Sequence, residues 1–171
     1  MRALAAITFA ALLASCQSTA PANRSGAVDT HATMTLGVNP PALAIWDVGN
    51  AAMSDTGGWD PARVDAAAWA KLEQAARALE QQSRRMADAR TLFVGAHNDE
   101  VEGFASRAEI QAMIDADPDD FRALAGALAE DAGALSDAAA ARDVRRSAEL
   151  IDGLSTHCAT CHSRYWEKPA A

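Results

Sequence analysis

Apolar residues return every three or four positions through four long stretches of the chain, which predicts an all-α protein. The first stretch runs from about Thr33 to Ser54, with Leu36, Leu43, Ile45, Trp46, Val48 and Met53 as its apolar candidates. Pro40-Pro41 must kink or restart it, because each proline lacks an amide donor and clashes with the preceding turn. Ser54 to Trp59, with Gly57-Gly58, predicts a turn. A second helix starts near Asp60-Pro61, a capping residue followed by proline at the first helical position. Its stripe is Trp69, Leu72, Ala76, Leu79 and Met86, and Arg84, Arg85 and Arg90 suit its C-terminal end. Thr91 to Arg107 shows no regular period, and a short helical turn is expected over Glu109 to Ala116. Asp117-Pro118-Asp119-Asp120 opens a third helix, whose stripe of Phe121, Leu124, Leu128 and Leu135 continues to about Ala139. That acidic cluster lacks the glycine and distant glutamate of a calcium loop, so it reads as a helix cap. The fourth helix, about Ala141 to Trp166, places Val144, Ser147, Ile151, Leu154, Cys158 and Cys161 on one stripe. Nothing before it reads as a strand.

Four helices with one apolar stripe each, joined by short turns, make an antiparallel four-helix bundle. Composition agrees: the chain is 50% hydrophobic but only 5% aromatic, and much of the apolar content is alanine. The N-terminus departs from this pattern. Met1-Arg2 precedes an apolar run from Ala3 to Ala14, too short to span a bilayer and typical of a signal peptide. It ends in Leu13-Ala14-Ser15-Cys16, which matches the lipobox of bacterial lipoproteins. That match implies cleavage after residue 15 and acylation of Cys16, which anchors the protein to a membrane. The alternative is an ordinary leader cut near Ala20-Pro21, with Cys16 a leftover thiol. Residues 16–32 are polar and read as a flexible tether of roughly 20–25 Å mean span. Residues 33–171 then form the single domain, long enough for a proper core.

Charge narrows the partners. The chain carries 15 Lys and Arg against 23 Asp and Glu, a net charge of −8, and losing Arg2 with the leader makes it more acidic. Nucleic acid binding needs a basic face and is excluded on this balance. An acidic protein is instead steered toward a partner with a basic docking patch.

The candidate chemistry sits in Cys158-Ala-Thr-Cys161-His162, the attachment pattern of c-type haem. Two thiols one helical turn apart can add to the two haem vinyl groups, and the next histidine reaches the iron from the proximal side. A thioredoxin-like pair would follow a strand in a βαβ unit, and none is predicted here. A zinc site would need two more ligands, while His31, His97 and His157 are scattered without ligand spacing. His162 lies four residues after Cys158 and shares its helix face, so haem c would sit inside the bundle against the last helix.

With the motif in the last helix, the chain resembles the class II c-type cytochromes, the cytochrome c′ group. The residues carrying the resemblance are Cys158, Cys161, His162 and Tyr165, within Cys-Ala-Thr-Cys-His-Ser-Arg-Tyr-Trp. The resemblance implies covalent haem c, iron held by His162, haem attachment on the periplasmic side, and pairing into homodimers in many members. One position departs from it. The group often has a basic residue four places after the proximal histidine, where this chain has Trp166 and only Arg164 nearby.

Members differ at the distal face, which the first helix lines. Some supply a methionine as sixth ligand; others leave the site open to small gases. Met34, in Thr33-Met34-Thr35-Leu36, resembles the ligating methionine, whereas Met53, Met86 and Met113 read as core filling. His157 is expected on a flank of the last helix, His97 in a loop and His31 in the tether. Trp46, Trp59 and Trp69 read as packing groups, and Tyr165 and Trp166 as residues against the porphyrin edge. The sequence thus predicts a membrane-tethered one-electron carrier, or alternatively a five-coordinate protein binding nitric oxide or carbon monoxide. A haem-free structural lipoprotein is the third reading. No polar acid–base pair of a peroxidase is visible on the first helix.

Overall fold

The first helical stretch survives its two prolines by widening one turn. In the computed structural model, which describes residues 25–96 and 102–168, a strand β1 (Ser25–Asp29) leads into one turn of helix, α1 (Thr30–Ala32). A π-helical segment, Thr33–Val38, then joins α2 (Asn39–Ala52). The Asn39 N–H donates to the Met34 carbonyl, five residues back. Pro40 and Pro41 would press their rings on the carbonyls of residues 36 and 37, and the wide turn lies over both. The chain therefore stays helical and does not restart at the prolines.

Three of the predicted apolar contacts of this stretch face solvent: Leu36 (79% exposed), Leu43 (58%) and Met53 (42%). The buried face is Val38, Ala42, Ile45, Val48, Gly49 and Ala52. Half of it is alanine and glycine, which give little hydrophobic signal while allowing close helix approach.

Gly57 and Gly58 hold φ of +89° and +76°, as the predicted turn requires. Asp60 caps only a 3-10 turn, Pro61–Arg63, and Val64 is extended. The second long helix, α3 (Ala66–Ala87), starts five residues later than expected, capped by Asp65 accepting from the Ala68 N–H at 2.8 Å. Its predicted stripe is buried throughout, from Trp69 to Met86.

Two strands are present where none was predicted. β2 (Ala89–Phe93) follows α3 and pairs in parallel with β1, Val28 opposite Leu92 and Asp29 opposite Phe93. Residues 25–32, expected in the tether, are thus part of the folded unit. Five-residue strands with a buried Val28 and Leu92 are too short to show a period of two. Asp29 secures the junction, its Oδ1 accepting from the Ala32 N–H at 3.1 Å and the Gly95 N–H at 3.0 Å. A side chain at Gly95 would collide with that carboxylate. Asp29→Ala removes a helix cap and the strand latch together, and should cost about 1–2 kcal/mol. Urea denaturation of the purified holoprotein measures this, and an unchanged midpoint would show that the latch contributes nothing.

After the described Glu102, α4 (Arg107–Ala116) opens with a capping box of Ser106 and Glu109 and is longer than the single turn expected. α5 (Pro118–Ala140) starts as predicted, Asp117 accepting from the Asp120 N–H at 3.1 Å. Residues 141–143 link it to α6 (Val144–Tyr165), capped by Asp143. So short a link between packed helices makes α5 and α6 antiparallel. α3 packs on α2 and α5, and α6 on α5 and α2, closing a four-helix ring. Its core includes Ile45, Leu72, Leu79, Ile114 and Leu135, all below 2% exposed. Among the described residues no helix is long and apolar enough to cross a membrane. Cys16 and His97 lie outside the described residues.

Candidate haem site

α6 buries Leu150, Ile151 and Leu154 through its middle, and the same stripe then delivers the thiols toward its end. Cys158, Cys161 and His162 are half-buried, and all three line one cavity of about 320 Å³. Close-packed interiors rarely keep so large a void, so this space is built for a ligand. The remaining walls come largely from the other helical segments: Met34 of the π segment, Trp46 of α2, Met86 of α3, Ile114 of α4, and Phe121 and Leu128 of α5. Apolar walls, two unpaired thiols on consecutive turns and an adjacent imidazole fit a flat porphyrin carrying two vinyl groups and a metal.

Burial sets the protonation states. It pushes the Cys161 thiol up to about 11, aided by Cys158 and the Asp120 charge, and raises Cys158 as well. Both are thiols near neutral pH. His162 moves the other way: burial holds it below the usual histidine value, with Glu167 opposing weakly. A neutral imidazole keeps the lone pair that a metal takes.

Tyr165 is buried and lines the cavity with its ring edge-on to Phe121, centroids 5.1 Å apart. Its hydroxyl donates to Asp120 Oδ2 at 2.8 Å and lies 3.2 Å from the Asp117 carbonyl, while Arg164 Nε holds Asp120 at 2.9 Å. Desolvation, followed by the Asp120 bond, raises its pKa strongly, so it stays a phenol. Tyr165→Phe leaves Asp120 without that donor and should cost about 1–2 kcal/mol. A thermal melt of the holoprotein tests it; an unchanged midpoint with intact haem would sink the structural role.

Met34 lies on the cavity wall, as its expected position requires, and Met53 does not. Two histidines fall elsewhere than anticipated. His31, expected in the tether, belongs to α1 and lines the cavity three residues before Met34. The missed signal is Asp29-Thr30-His31-Ala32, a helix cap whose first turn was read as linker. His157, expected on the surface, has a side chain only 29% exposed, pairs with Asp131 Oδ2 at 2.9 Å and also lines the cavity. Its neighbour α5 covers the flank that a lone helix would leave open. Trp59 and Trp69 pack on each other, 6.1 Å between centroids.

Trp166 contacts His162 edge-on at 4.9 Å and stacks on Phe104 at 4.5 Å. Phe104 escaped the sequence reading, lying in a stretch without periodicity. Among the described residues, no group of three or more His, Cys, Asp or Glu side chains is placed to hold a metal ion by itself.

Comparison with curated proteins and with solved structures gives no match. A family model described as Cytochrome C' matches residues 48–166, from the second half of α2 to the end of α6. Met34 and His31 lie ahead of that span. With well over half its length in that match, the chain belongs to the cytochrome c′ family, typically periplasmic proteins that carry covalently attached haem c with its iron.

Proposed function

We propose that this protein is a one-electron carrier, anchored on the periplasmic side of a bacterial membrane through acylated Cys16. In this reading Cys158 and Cys161 hold the haem by thioethers, His162 is the proximal ligand and Met34 the distal one. The observation that carries it is the shared cavity. A soft thioether from the π segment and a neutral imidazole from α6 line the same space as the two thiols. The haem supplies the one-electron chemistry once bound. The chain's own residues do the rest: the apolar walls exclude water, methionine ligation raises the potential, and Tyr165 fixes the start of α5 against the motif. Net acidic charge steers the protein toward a basic patch on its partner.

A second reading has one observation in its favour. The family match begins at residue 48 and leaves Met34 outside the shared pattern. Without that ligand, the apolar wall around Val38 and Ala42 would receive nitric oxide or carbon monoxide. The optical spectrum of the oxidised protein, matured with periplasmic haem attachment, separates the two. A far-red methionine–iron charge-transfer band supports the carrier. A high-spin spectrum with ready carbon monoxide uptake replaces it by gas binding, and a colourless product defeats both.

A further inference from the structure

Among the described residues lining the haem cavity, none is Asp, Glu, Lys or Arg. The ionisable members of the wall are His31, His157, His162, Tyr165 and the two thiols. Thioether formation removes the thiols, the iron bond takes the His162 lone pair, and Tyr165 stays a phenol. Two histidines are left to answer a change of charge inside the cavity. Of these, His157 directly precedes a cysteine that carries the haem and is held by a carboxylate. We propose that His157, held by Asp131, is the proton partner of the haem. It gains a proton when the iron is reduced and releases it on oxidation. The inference rests on the one-electron carrier reading.

The His157 Nε2 lies 2.9 Å from Asp131 Oδ2. An ionised carboxylate only accepts, so Nε2 donates and Nδ1 keeps the lone pair that takes the proton. The side chain is partly open to water and can exchange that proton with solvent. Asp131 gives the resulting imidazolium an ion-pair partner. The other groups around it are uncharged or engaged elsewhere. Positions one turn away on α6 are Gly153, Leu154, Thr160 and Cys161. α2 and α4 contribute Trp46, Ile110 and Ile114 to the same wall. On the packed helices, Asp120 is bound by Arg164 and Asp47 by Lys71, while Glu130 and Asp152 are exposed.

The step balances. One electron from the redox partner takes ferric iron to ferrous and adds one negative charge. One proton from water adds a positive charge at Nδ1, so the net charge of the site is unchanged. Apolar walls screen the two charges poorly. At the effective dielectric constant of a protein, unit charges about 10 Å apart alter each other's binding roughly tenfold. A tenfold difference in proton affinity between the two oxidation states corresponds to about 59 mV in a one-electron potential. The charged imidazole favours the electron, so the potential falls as pH rises. Histidine ordinarily changes charge between about pH 5 and 8.

Spectroelectrochemical titration of the holoprotein across that range tests the proposal, with haem content and melting temperature read on the same samples. The wild-type potential should fall by about 59 mV in total between its acid and alkaline plateaus. His157→Gln should flatten the profile. Asp131→Asn should keep the fall but move it to lower pH, because the imidazolium has lost its carboxylate; this variant carries the test should His157→Gln prove unstable. His31→Gln should leave the fall in place. A flat wild-type profile, or a fall of equal size in His157→Gln, overturns the proposal. A fall lost in His31→Gln and kept in His157→Gln overturns it too, by placing the proton on the other histidine. A haem-loaded protein without a reversible one-electron wave overturns instead the carrier reading beneath it.

Discussion

With Cys158 and Cys161 both replaced by alanine, the polypeptide is expected to carry no covalent haem, falling from about one per chain to essentially none. The two thiols share one face of α6 and line one cavity. Each single variant keeps one of them and should retain one thioether and part of the colour. In the double variant His162 alone contacts the group, through a bond that denaturation breaks. The structural effect should be as large as the chemical one. Loss of the bound group leaves the apolar walls of the cavity exposed to water, so the thermal midpoint should fall clearly. Haem staining after denaturing electrophoresis and a thermal melt measure both halves. Haem surviving denaturation in the double variant would remove the thioether assignment, and an unchanged melt would show that the cavity walls collapse freely.

Met34→Ala is expected to turn a low-spin protein high-spin, abolish the far-red charge-transfer band and open the iron to carbon monoxide. Loss of a thioether ligand should also lower the reduction potential by on the order of 0.1 V or more. The physical basis is placement: the widened turn of Thr33–Val38 puts Met34 on the cavity wall and lets the helix continue through Pro40 and Pro41. π segments of this kind occur often at functional sites. His31, three residues earlier on the same wall, is the control. If the low-spin spectrum survives Met34→Ala and is lost in His31→Ala, the distal ligand lies one turn upstream. If neither substitution changes the spectrum, the distal group comes from elsewhere and the carrier loses its main support.

The haem motif was legible because its meaning is local. Two thiols and a histidine within five residues occupy one helix face whatever the rest of the chain does, and α6 places them so. The stripes of α3 and α5 were legible for a related reason, since large side chains at three- and four-residue spacing leave few ways to bury them. The first helical stretch was misread where its buried face turned to alanine and glycine, residues that hydropathy barely registers. β1 and β2 were missed because neither strand exists without the other: Ser25–Asp29 is unremarkable polar sequence until Ala89–Phe93 lies beside it.

Helical class, bundle architecture and covalent haem attachment follow from the order of residues alone, because each depends on neighbours within one or two turns. The tertiary structure decided what surrounds the iron site. It brought His31 from an apparent linker to the cavity wall, half-buried His157 against Asp131, and set Phe104 behind Trp166 beside His162. Those contacts join residues tens of positions apart, and only the packing of separate helices fixes which of them meet.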